Sequence, residues 1–107
     1  MKLSRKLVTH ALYYIAHPLF TYGSPDLNRS LVKFVEMRLS KMGIFYISPL
    51  SIIPPNTPEP KAMEKCECLL MACDGIILCK NWQRSKGCQH ERMFAEKLGL
   101  EILEMRR

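Results

Sequence analysis

The sequence predicts one α/β domain in which a parallel β-sheet carries helices on both faces. Three observations point to it. Short apolar runs alternate with segments whose apolar residues recur every three or four positions, in the order strand, helix, strand, helix, strand, helix, strand. The 107 residues hold 48% apolar and 24% charged side chains, which suits one core and is too little for two, so the chain reads as a single domain over residues 1–107. The 5 glycines and 7 prolines fall mostly between these segments, and no stretch is monotonous, which excludes collagen-like, disordered and low-complexity chains.

Each element has its own local cause. Residues 1–10, with Lys2, Arg5 and Lys6, read as a basic extension. They lack an apolar signal core and a small-residue cleavage site, so a cytoplasmic protein is expected. Residues 11–16, Ala-Leu-Tyr-Tyr-Ile-Ala, form a nearly continuous apolar run ended by His17-Pro18, as in a strand buried on both faces. After a loop with Gly23, Ser24 and Pro25, apolar residues at Leu27, Leu31, Phe34 or Val35, Leu39 and Met42 predict an amphipathic helix stopped by Gly43. Residues 44–47 are the second strand. Pro49, Pro54, Pro55, Pro58 and Pro60 then predict an extended loop.

Ala62, Met63, Cys66, Leu69, Leu70 and Cys73 predict a second helix that starts just after Pro60 and turns Cys66 inward. Asp74-Gly75 marks the boundary before a third strand at residues 76–79. A loop over residues 80–86 leads into a third helix at residues 87–98, with Cys88, Ala95 and Leu98 inward and Gly99 as its stop. Residues 100–103 make the last strand. Met1, Met37, Met42, Met63, Met71, Met93 and Met105 read as core filler and chain ends.

Several function classes drop out. The longest apolar-rich stretches are broken by His17, Pro18, Ser48 and Pro49, short of the roughly 20 residues that cross a bilayer. The cysteines Cys66, Cys68, Cys73, Cys79 and Cys88 include no CxxC pair, so they read as free thiols rather than as zinc ligands or a disulfide framework. Sixteen Lys and Arg against ten Asp and Glu leave a net charge of +6, which favours an anionic partner. There is no dense Lys/Arg run, RNA-recognition aromatic motif or zinc-finger spacing, so nucleic acid is not the expected partner. Phosphate on a small molecule fits.

In open parallel sheets ligands bind beyond the carboxyl ends of the strands. Two loops there are rich in reactive side chains, Tyr14 to Pro18 and Trp82 to Glu91. Glu91 shares a helix face with Cys88 and Ala95, so its carboxylate turns toward the sheet. The dipole at the helix start is expected to keep it ionised, and partial burial to make it a less hydrated nucleophile. The competing reading is a first-turn glutamate that only complements the dipole. His90, about 100° around the helix from Glu91, points to solvent. His17 is a phosphate, base or proton contact, or a loop histidine tied to backbone. Trp82 stacks on a base or covers the helix entrance. Asn28 and Arg29 touch ligand or cap the first helix.

Taken together, Tyr14-Ile-Ala-x-Pro18, Cys73-Asp74-Gly-Ile, Trp82-x-x-Ser85-x-Gly87-x-x-x-Glu91 and Ala95-x-x-Leu98-Gly99 make a linked set over residues 12–103. This set resembles the nucleoside 2-deoxyribosyltransferase superfamily, most closely its small phage and bacterial branch, which is similar to the deoxynucleotide N-hydrolases. The resemblance implies a flavodoxin/Rossmann-like three-layer sandwich with four or five parallel strands, assembled as a dimer or larger oligomer and needing no cofactor or metal. It implies cleavage or transfer of the N-glycosidic bond of a nucleoside or nucleoside 5'-monophosphate.

By resemblance, Glu91 matches the nucleophilic glutamate and Tyr14 the tyrosine that orients it. Ser85 stands where the transferases carry an aspartate for the sugar 5'-hydroxyl and the N-hydrolases a serine for phosphate. A neutral donor at a helix start, flanked by Arg84 and Lys86, welcomes phosphate where an aspartate would repel it. Gly87, His17, Trp82 and Asn28 complete the substrate-binding set that the resemblance suggests. Asp74 matches a mainly structural residue. One departure counts against turnover: Cys66 stands where relatives carry a second, sugar-contacting aspartate. A non-catalytic nucleotide-binding or sensing module of the same fold is the alternative.

Overall fold

The computed structural model describes residues 2–19 and 24–105. Gly23 of the predicted loop, and Met1, lie outside them. The strands β1 (Leu12–Ala16), β2 (Phe45–Ile47), β3 (Gly75–Leu78) and β4 (Glu101–Glu104) form one all-parallel sheet in the order β2-β1-β3-β4. The helices are α1 (Pro25–Lys41), α2 (Pro49–Ile52), α3 (Glu59–Met71) and α4 (Lys86–Lys97), with a 3-10 turn at Trp82–Arg84. This is the predicted α/β architecture, with four strands.

Alternate residues of β1 point to opposite faces of the sheet. Tyr13 and Ile15 join Ile77, Cys79 and Leu103 under Val35 and Leu39 of α1, with Leu3 and Leu7 packed alongside. Tyr14 and Ala16 join Ile76 and Leu78 under Leu70 of α3 and Cys88 and Ala95 of α4. Three layers result. The residues read as a basic extension reach the outer strand: Leu3 pairs antiparallel with Met105, and the Ser4 N–H donates to the Glu104 carbonyl at 2.9 Å.

Local signals explain most boundaries. Ser24 caps α1 by accepting from the Leu27 N–H at 3.1 Å, and Pro25 occupies the first turn, where its missing N–H costs nothing. Gly43 and Gly99 follow α1 and α4 with φ of +72° and +74°, a left-handed region that other residues enter with strain. Asp74 ties the start of β1 to β3, its Oδ2 accepting from the Leu12 N–H at 2.8 Å, which bears out the structural role expected of it. At Gly75 an added Cβ would lie 2.9 Å from the Tyr13 ring, its neighbour in the parallel β1–β3 pairing, so a larger residue there forces a shift.

Five expectations fail. The core-facing stripe of α1 is Asn28, Val32, Val35 and Leu39, while Leu27, Leu31, Phe34 and Met42 are exposed. The proline-rich stretch is not wholly extended, because Pro49 opens the short helix α2, and α3 starts before Pro60, which sits in its first turn. Leu98 lies on the outer side of the end of α4 rather than inward. Met37, Met71 and Met93, read as filler, are exposed as well.

Candidate functional site

The site is built on the face of the sheet covered by α3 and α4. Tyr14, in the middle of β1, is fully buried and donates its hydroxyl hydrogen bond to Oε2 of Glu91, 77 residues along the chain. Glu91 is the sixth residue of α4 and is 7% exposed. Cys66 of α3 and Cys88 of α4 lie near enough to the Glu91 carboxyl to bear on its titration, and Cys66 bears on the Tyr14 hydroxyl too. Ser85 is the N-cap of α4 and accepts from the Cys88 N–H at 3.2 Å. The structure therefore gathers Tyr14, Cys66 and Cys88 around the Glu91 carboxyl, with Ser85 at the start of the same helix.

Burial decides the charge of that group. The expectation of an ionised Glu91 rested on the helix dipole, which fades within the first turn. Glu91 sits beyond that turn, and desolvation raises its carboxyl to about 7 against the hydrogen bond from Tyr14 and the nearby Cys66 and Cys88 thiols, which favour the anion. Near neutral pH it exchanges a proton. Burial beside Glu91 pushes the Tyr14 hydroxyl well above its usual range, so Tyr14 stays a donor. Burial also pushes the thiols of Cys66 to about 11 and Cys88 to about 12, so both stay protonated.

Among the other residues singled out by sequence, His17 is half-buried and its Nδ1 lies 2.7 Å from the Pro18 carbonyl. A carbonyl only accepts, so Nδ1 carries the proton. Burial lowers the His17 imidazole below its ordinary value. Asn28 turns into the core and donates Nδ2 to the Leu19 carbonyl at 2.6 Å, while Ser24 does the capping. Trp82 donates Nε1 to Glu104 at 2.8 Å and carries the Arg92 guanidinium 5.6 Å over its ring. Arg84 and Lys86 are exposed beside the start of α4. A Cβ at Gly87 would meet only the Ser85 hydroxyl, at 3.8 Å, so the fold does not demand glycine there.

The sequence already sets Cys88, three residues before Glu91, on the same helix face, while one feature escapes it. His90 does not simply face solvent: its Nε2 pairs with Glu67 of α3 at 2.7 Å, linking the two helices that enclose the site. No local pattern announces that pair. Among the described residues no group of three or more His, Cys, Asp or Glu is placed to hold a metal ion.

Two clefts, of about 330 Å³ and 510 Å³, flank the segment after α2. The first is lined by Ile52, Ile53 and α3 residues including Cys68. The second lies against Arg29, Lys33 and Glu36 of α1. Neither is lined by Tyr14 or Glu91, and both of these side chains are buried.

Residues 11–104 match the family model described as "Domain of unknown function (DUF4406)". No curated protein matches the chain. A solved structure, "2-desoxiribosyltransferase from Leishmania mexicana", superposes with a TM-score of 0.69 at 21% identity. That alignment covers 89% of this chain and 63% of the other, so the two share a fold while this chain spans less than two thirds of its length. No helix among the described residues is long and apolar enough to cross a membrane.

Proposed function

The chain belongs to the DUF4406 family, and from that premise we propose that it is a nucleoside 2-deoxyribosyltransferase-like enzyme that breaks or transfers the N-glycosidic bond of a nucleoside or nucleoside 5'-monophosphate. The observation that carries this reading is the buried hydrogen bond from Tyr14 to Glu91 at the middle of a parallel sheet. A carboxyl with its proton balanced at about 7 supplies an anion at neutral pH without a hydration shell to strip. In the proposed reaction the Glu91 carboxylate attacks the anomeric carbon as the bond to the base breaks, and the base leaves with a proton from solvent. Water or a second base then takes the sugar from Glu91. Tyr14 holds the attacking oxygen, and Ser85, with Arg84 and Lys86 beside the α4 N-terminus, receives the 5'-phosphate.

The likeness in fold to a deoxyribosyltransferase supports this assignment of substrate class. A cytoplasmic, hydrolytic and oligomeric protein of the phage and bacterial branch is part of the same proposal, resting on the sequence resemblance. Because Glu91 is buried, docking of a sugar displaces the Cys66 side chain or parts α3 from α4.

A second reading, a nucleotide-binding module without turnover, is favoured by Cys66 in the place of a carboxylate and by the burial of Glu91. Incubation with deoxynucleoside monophosphates and chromatography of free base separates the two. The enzyme releases base, Glu91→Ala lowers release by about 10³-fold or more, and Tyr14→Phe lowers it by roughly 10- to 100-fold, the worth of a hydrogen bond to a charged group. Saturable nucleotide binding without any release supports the module instead.

A further inference from the structure

The larger of the two clefts, about 510 Å³ in volume, lies between α1 and the segment that runs from α2 to Pro55. A cleft of that size holds a small molecule. Helix α1 covers the face of the sheet opposite the one that carries Tyr14, so the cleft is separate from the surroundings of Glu91. Two contacts join its walls. The Arg29 guanidinium reaches from α1 to the Leu50 carbonyl, with Nη1 at 3.4 Å, and the Ser51 hydroxyl donates to the Glu36 carboxylate. Projected at about 100° per residue, Arg29, Lys33 and Glu36 fall in a band about 60° wide, so all three leave α1 on one flank and Lys33 stands between the two contacts.

The charges on this flank are out of balance. Arg29 is half-buried, and Lys33 follows it by one turn, a spacing at which two like charges repel. Neither is within ion-pair distance of a carboxylate among the described residues. A half-buried guanidinium without a counter-charge costs free energy, and one carbonyl at 3.4 Å serves only one of its five N–H donors. Glu36 is the only carboxylate of the lining, and Ser51 holds it. It lies about 10 Å from Arg29 along the axis, at a rise of about 1.5 Å per residue, so the Arg29 end of the cleft stays positive. The opposite wall is largely apolar, with Ile52, Ile53, Pro54 and Pro55.

A ligand suited to this cleft has a compact negative head and an apolar body. A phosphate monoester has both. Its head carries about −1.5 to −2 charges at pH 7, enough for two cations, and offers three acceptor oxygens, two of which match the guanidinium fork. A carboxylate brings only one charge. The net charge of +6 draws such anions toward the molecule. We propose that the cleft between α1 and α2 binds a small organic phosphate monoester, with Arg29 and Lys33 on the phosphate and the wall from Ile52 to Pro55 against its apolar body. The site is distinct from the phosphate position at Ser85, and it stands whether or not Glu91 is catalytic.

Calorimetric titration of the full chain with phenyl phosphate at low ionic strength tests the assignment. The expected result is saturable binding with a Kd on the order of 0.1–1 mM, as a ligand of this size allows. Arg29→Ala weakens it by about tenfold or more with an unchanged circular dichroism spectrum, and Lys33→Ala, at an exposed position, by about three- to tenfold. Ser85→Ala leaves this binding in place. Benzoate, with one charge, binds about tenfold more weakly. Three results overturn the inference. One is the absence of saturable binding up to about 10 mM. Another is binding that both Arg29→Ala and Lys33→Ala leave unchanged; if Ser85→Ala then removes it, the phosphate lies at α4, where the enzyme reading puts it. The third is benzoate bound as tightly as phenyl phosphate, which rules out selection for phosphate.

Discussion

Helix α4 turns a carboxyl toward the sheet and helix α1 turns a phenylalanine toward water, and the contrast lies in where each placement is felt. Glu91 is exposed to solvent in the unfolded chain and desolvated in the folded one, so its burial is a cost borne by folding itself. Phe34 meets water in both states of the monomer, so its exposure barely enters the folding equilibrium. A buried polar group and an exposed apolar group thus leave different traces. The first is read from stability against pH, and the second from how little its truncation costs.

The largest expected effect, the loss of base release, falls at Glu91, where a change of stability with pH sharpens the contrast. Its folded-state pKa of about 7 lies above the ordinary 4.5, so the folded chain holds the proton that the unfolded chain gives up between those values. The neutral carboxyl carries no penalty below pH 4.5, and stability falls as pH rises toward 7 and then levels off. Glu91→Gln removes the ionisable group. It is expected to raise stability by up to about 3 kcal/mol at pH 8 and to change it little at pH 4, while base release disappears. Thermal melts of the two proteins at both pH values check this, and a Gln variant no more stable at pH 8 would break the claim that Glu91 is buried against its charge.

Next in size is the comparison along α1. Leu39→Ala, at a fully buried position packed against Tyr13 and Ile77, costs about 2–5 kcal/mol, whereas Phe34→Ser stays within about 0.5 kcal/mol when melts are run at a concentration low enough to leave a monomer. Equal losses at the two positions would mean that α1 is seated differently. Smallest is Gly75→Ala, where the new methyl meets the Tyr13 ring and the Glu101 carbonyl. Denaturant unfolding should show a loss of about 1–3 kcal/mol, with the Tyr14–Glu91 pair on the other face of the sheet undisturbed.

The order of elements, the strand positions to within a residue or so, the glycine stops after α1 and α4 and the inward turn of Glu91 all follow from the sequence by itself. They are local properties: an apolar period, a residue able to take positive φ, a carboxyl three residues after Cys88 and four before Ala95 on one helix face. Only the tertiary structure decided which half of the wide α1 arc meets the sheet, because Leu31 and Val32 satisfy helical spacing equally and the choice depends on where the sheet lies. Only the tertiary structure brought Tyr14 and Cys66 to Glu91 and Glu104 to Trp82, across separations that no sequence period encodes. It also set the carboxyl near neutrality. Desolvation depends on how completely α3 and α4 close over a side chain, and that is a property of packed layers rather than of any single segment.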